Sequence, residues 1–124
     1  MLVAAMTRGW FAAVFIAFAA AAMADPASSI AVGTTVTVRA NSIWFQQREM
    51  LSRWQQLKRS GSVEDVADYE HEVSGQREAW QFTNPLTVKV IGYDAEHGQA
   101  NIEMQTPGRM QGTTWFVDAG VIER

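Results

Sequence analysis

Between Leu86 and Ile122 the chain reads Leu-Thr-Val-Lys-Val-Ile-Gly-Tyr, Asp-Ala-Glu-His-Gly-Gln and Ala-Asn-Ile-Glu-Met-Gln; a Pro-Gly connection and Thr-Thr-Trp-Phe-Val-Asp-Ala-Gly-Val-Ile follow. Three short runs that alternate apolar with polar residues, rich in β-branched side chains and separated by turn residues, predict an antiparallel meander. Leu86, Val88 and Val90 share one face, Thr87, Lys89 and Ile91 the other, and Ala100, Ile102 and Met104 continue the inward face. Gly98 suits the positive φ that a hairpin turn over Asp94–Gln99 requires. The second connection, Thr106-Pro107-Gly108-Arg109-Met110-Gln111-Gly112, places an arginine between two glycines and is the most function-like loop of the chain.

Upstream, Gly33 to Ala40 alternates as well, with Val36, Val38 and Ala40 on one side and Thr35, Thr37 and Arg39 on the other, which predicts a first strand. The period then changes. Ile43, Met50, Trp54 and Leu57 recur at helical spacing behind Asn41-Ser42, which offers an N-cap, and Gly61 marks the end of that helix. Ser62 opens a second helix with Asp65 in the capping-box position, an apolar stripe of Val63, Val66, Tyr69 and Val73, and an acidic back. The two form an antiparallel helical hairpin at about 42–74, and the basic tail of the first, Arg53, Lys58 and Arg59, lies beside the acidic second helix. Gly75 weakens or bends the second helix. Trp80 and Phe82, two apart, place their rings on one face of a strand.

Composition matters most at the two ends of this argument. From Met1 to Ala24 the only charge is Arg8, followed by an apolar run that closes on Ala22-Met23-Ala24, the pattern of a cleaved export signal. The run is short for a membrane-spanning helix, which needs about 20 residues. The organisation expected is therefore a signal peptide at 1–24, a flexible leader at 25–32 and a single α+β domain at 33–124, periplasmic or secreted; membrane contact follows only if the first segment stays uncleaved. Without Arg8 the chain has nine basic against thirteen acidic side chains, a net charge of −4 and no basic block, which argues against nucleic acid as a partner. With no cysteine in a small exported domain, Trp44, Trp54, Trp80 and Trp115 must supply much of the packing.

Gly112 through Ile122 resembles the closing stretch of bacterial Src-homology-three-like barrels: a glycine, an aromatic-Val pair (Phe116-Val117), a short helical turn (Asp118-Ala119-Gly120) and a final apolar pair (Val121-Ile122). The resemblance covers the meander and Val32 to Ala40, and implies a small antiparallel barrel in which the helical hairpin is an insertion in the first long loop. At Val121, where ligand-binding members often carry Tyr, the chain departs from the family's pattern.

No motif in the chain points to catalysis. His71 and His97 are isolated and lack the paired spacing of a zinc site, the carboxylates of the second helix read as a solvated face, there is no cysteine nucleophile, and no serine sits in a Gly-x-Ser-x-Gly elbow. No cofactor or metal is expected. Two functions fit. One is a non-catalytic envelope module that binds a protein or cell-wall peptide through Arg109 and Trp115, with Trp80 or Tyr93 beside them. The other is a structural accessory subunit of an envelope or membrane complex, with Trp44 and Trp54 of the hairpin as the contact surface. Exposure of Trp44, Trp54 and Trp80 distinguishes the two, a contiguous apolar patch implying a fixed partner.

Overall fold

The computed structural model describes residues 30–123; the expected signal peptide and most of the leader lie outside them. The strands are β1 (Thr35–Val38), β2 (Ser42–Phe45), β3 (Ala79–Phe82), β4 (Leu86–Asp94), β5 (Gln99–Met104), β6 (Thr114–Asp118) and β7 (Ile122–Glu123). Two helices, α1 (Arg48–Ser60) and α2 (Val63–Gly75), separate β2 from β3, and a 3-10 turn, Ala119–Val121, joins β6 to β7. All strand pairs are antiparallel in one sheet of order β3-β2-β6-β5-β4-β1-β7, which is not closed. The chain is thus α+β, with the expected meander at its centre and the hairpin inserted between two strands that pair with each other, Trp44 opposite Trp80.

The sheet buries one face along its length and the other only at its β3-β2-β6 end. On the inner face Val38, Trp44, Val88, Val90, Ala100, Ile102, Met104, Trp115, Val117 and Ile122 form one core. Ile43, Phe45 and Ala79 on the other face meet Leu51 and Trp54 of α1 and Val73 of α2 in a second core. β2 serves both, and all four of its residues are buried. For that reason Ile43 is not on the first helix: Ser-Ile-Trp-Phe is a continuous buried run, which periodicity cannot assign to either type of element. Asn41, expected near a helix N-cap, instead takes a left-handed φ of 65°, which Asn tolerates, and donates its N–H to the Phe82 carbonyl at 2.7 Å. α1 starts only at Arg48, behind Gln47, whose side chain makes no capping bond.

The turn between the helices follows the sequence closely. Asp65 N–H donates to Ser62 Oγ at 3.0 Å and Ser62 N–H to Asp65 Oδ2 at 3.3 Å, the reciprocal capping box. Gly61 caps α1 in extended backbone, so room rather than dihedral freedom selects it: a Cβ there would lie 2.9 Å from the Leu57 carbonyl oxygen. Val66, Tyr69 and Val73 of the apolar stripe pack on the second core, whereas Val63, at the turn, stays 86% exposed. The expected pairing of Arg53, Lys58 and Arg59 with acidic α2 side chains does not form; among the described residues the one ion pair is Asp94–His97. Lys58 lies instead 4.8 Å from the Trp54 ring, whose N–H donates to Glu70 at 2.7 Å.

Two further departures bear on the site. Ile30, placed by sequence in the flexible leader, is buried in the inner core. In β4 a bulge between Val90 and Gly92 shifts the register, so Gly92 faces Asn101 and Tyr93 packs against the inner core beyond the point where simple alternation would turn it outward.

Candidate binding site

The connection from β5 to β6 is held in shape by its own hydrogen bonds. Thr106 receives the Thr87 N–H on Oγ1 at 2.9 Å and returns its own N–H to the Thr87 carbonyl at 3.1 Å, which ties the loop to β4. Gln111 N–H donates to Gly108 at 3.2 Å and Gly112 N–H to Met104 at 2.9 Å, closing the turn that carries Arg109 and Met110. Gly108 and Gly112 adopt φ values of 145° and 90°, where a side chain would be strained. The Thr113 hydroxyl donates to the Met110 carbonyl at 2.6 Å and accepts the Trp115 indole N–H at 2.8 Å, so the loop is also anchored to the core.

Beside this loop lies a groove of about 180 Å³ lined by Phe82, Leu86, Met104, Thr106, Pro107, Gly108, Arg109 and Met110. Phe82 joins it to the aromatic cluster of the inner core. Phe82 sits 4.5 Å from Trp44 and edge-on to Trp115 at 5.9 Å between ring centroids. On its other side Phe82 meets Trp80, 6.5 Å away and 47% exposed. Arg109 is exposed, and among the described residues it has no hydrogen bond or ion pair. The lining therefore offers one free cation, one hydroxyl already engaged with β4, and otherwise apolar groups. It contains no carboxylate or imidazole.

The residues singled out by sequence are only partly brought together. Arg109 lines the groove, and Trp80 adjoins it through Phe82. Trp115 is buried beneath the loop and supplies support rather than surface. Tyr93 lies seven residues along β4 from Leu86, roughly 23 Å of strand, and lines a different cleft with Arg48, Asn101 and Phe116. Trp44 and Trp54 are both buried, one in each core, and offer a partner no tryptophan patch. Sequence reading missed Phe82, Leu86, Met104 and Met110 as groove residues, because they come from three separate segments that only the sheet register brings together.

A second polar cluster joins α1 to the far end of the meander. Gln55 Nε2 donates to Asp118 Oδ1 at 2.7 Å and to the Gly98 carbonyl at 3.1 Å, while Gln99 Nε2 donates to Ser52 Oγ at 2.8 Å and Gln55 Oε1 at 3.0 Å. These bonds fasten the hairpin to the sheet. At the adjacent turn, where Gly98 takes its φ of 62°, Asp94, Glu96 and His97 bring ligand-type atoms within 4.8 Å of one another. Asp94 accepts both the His97 main-chain N–H at 3.2 Å and His97 Nδ1 at 2.7 Å. The His97 side-chain bond lowers the Asp94 pKa, and burial raises that of Tyr69. No family model matches the chain, and no curated protein or solved structure matches it.

Proposed function

We propose that the chain is an exported, non-catalytic binding module of the cell envelope, a Src-homology-three-like domain with an open sheet and a helical hairpin in its first long loop. The order β6-β5-β4-β1-β7, with a 3-10 turn between β6 and β7, supports the Src-homology-three-like reading. Its function is to recognise a protein or cell-wall peptide through the groove between the Arg109 loop and Phe82. The observation that carries this reading is a partnerless arginine on the rim of an apolar groove, with a half-exposed tryptophan alongside. The accessory-subunit alternative loses Trp44 and Trp54 as contact surface, since both are buried, and keeps only the half-exposed Trp80, which adjoins the groove.

Two experiments test the proposal. Intact-mass analysis of the exported protein is expected to show loss of Met1 to Ala24; a full-length species that pellets with membranes would refute export with cleavage. In a pull-down from envelope extract, Arg109→Ala is expected to weaken capture of the partner at least tenfold, about 1.4 kcal/mol, while the melting temperature stays nearly unchanged because the side chain is exposed. Equal capture by wild type and variant would clear the loop of a binding role.

A further inference from the structure

We infer that the occupant of the Arg109 groove is the C-terminus of a polypeptide, its terminal carboxylate held by the loop and its last, apolar side chain lodged against Phe82, Leu86, Met104 and Met110. This rests on the reading that the groove is the binding site and names what it binds.

Three observations converge on a carboxylate attached to one apolar side chain. The main-chain N–H groups of Gly108, Arg109 and Met110 have no acceptor among the described residues, although the neighbouring N–H groups of Gln105, Thr106, Gln111, Gly112 and Thr113 are all bonded. Successive free N–H groups on a turn form a concavity suited to an anion, and capture of a terminal carboxylate by such groups is an established mode of peptide recognition. The same three residues line the groove, and Arg109 adds a guanidinium with no partner of its own, so charge complementarity favours an anion at this rim. Finally, the volume is about 180 Å³, below the roughly 300–1,000 Å³ of pockets that enclose whole small molecules, and fits a single side chain. An internal peptide segment would fill the apolar part but bring only neutral main-chain carbonyls to the three N–H groups, with no terminal charge opposite the guanidinium. A C-terminal residue satisfies both parts at once.

The test is a titration of the 15N-labelled protein, followed by amide NMR, with N-acetylated pentapeptides Gly-Ser-Gly-Ser-X in which X is Leu, Ile, Val, Met or Phe. Each is supplied as free acid and as C-terminal amide. The acid forms are expected to shift the Gly108, Arg109 and Met110 amide resonances, and the amide forms to bind at least tenfold more weakly. Arg109→Ala is expected to weaken the acid forms tenfold while leaving the amides unaffected, a difference that misfolding would not produce. Equal binding of acid and amide would overturn the inference and leave the groove as a site for internal segments. Decanoate binding as tightly as the best peptide would also overturn it, in favour of a fatty acid. If no peptide shifts these resonances while envelope capture still depends on Arg109, the C-terminal occupant is wrong and the binding reading stands. If capture is independent of Arg109 as well, both fail.

Discussion

Trp44→Ala is expected to cost about 3–5 kcal/mol, the range for deleting a large aromatic from a packed core. Trp44 is fully buried at the centre of β2, opposite Trp80, with its ring 4.5 Å from Phe82 and 6.1 Å edge-on to Trp115. Its indole N–H donates to Ser42 Oγ at 2.8 Å, and that hydroxyl in turn donates to the Arg39 carbonyl at 2.9 Å. Substitution thus opens a cavity beside the Phe82 and Trp115 rings and removes a donor from a buried hydroxyl. A domain of this size has on the order of 5–15 kcal/mol in total, so the loss is a large share of its stability. Urea unfolding followed by far-UV circular dichroism would measure the loss, with Trp44→Phe as a milder companion that retains an aromatic ring. Because Phe82 is shared between this core and the groove, Trp44→Ala should also damage binding. A midpoint equal to that of the wild type would mean that the aromatic cluster does not hold β2 to the sheet.

How much of this was legible in the sequence depends on how many faces of each element are buried. β4 and β5 hide one face and wet the other, so alternation at Leu86, Val88 and Val90 and at Ala100, Ile102 and Met104 identifies both strand and inward side. The start of α2 was legible because Ser62 and Asp65 make a local motif whose geometry depends on four residues. β2 was not, because Ile43 and Phe45 serve one core and Trp44 the other, which removes the polar half of the pattern. Tyr93 was misplaced for a different reason: it stands at the far end of β4 from Leu86 and the Arg109 loop, and sequence proximity to the meander does not say which end of a strand meets which loop. For the site, the loop and its arginine could be singled out from glycine and proline spacing alone. The apolar wall could not, since Phe82 reaches the groove only through the pairing of β3 with β2, a consequence of the long helical insertion.

Trp54→Ala is expected to destabilise by a comparable amount, about 3–5 kcal/mol, but with a different structural signature. Trp54 belongs to the second core, where its ring lies 5.8 Å from Phe45, its N–H bonds Glu70 of α2, and Lys58 lies over its face. Deleting it removes the side chain that joins α1, α2 and the outer face of β2 simultaneously. The inner core, formed largely by β4, β5 and β6, contains none of these groups. Loss of Trp54 should therefore act first on the hairpin, with the Gln55–Gln99–Asp118 cluster left as its polar fastening. Amide hydrogen exchange in a still-folded fraction, or at low urea, is expected to show α1 and α2 losing protection while the amides of β4 and β5 retain theirs. Glu70→Gln, which keeps an acceptor for the indole N–H, should cost far less, on the order of 1 kcal/mol, and leave that exchange pattern intact. Uniform loss of protection in Trp54→Ala would show that the two cores unfold as one cooperative unit. An unchanged midpoint would mean that the hairpin does not depend on Trp54, and would return that side chain to consideration as a partner contact.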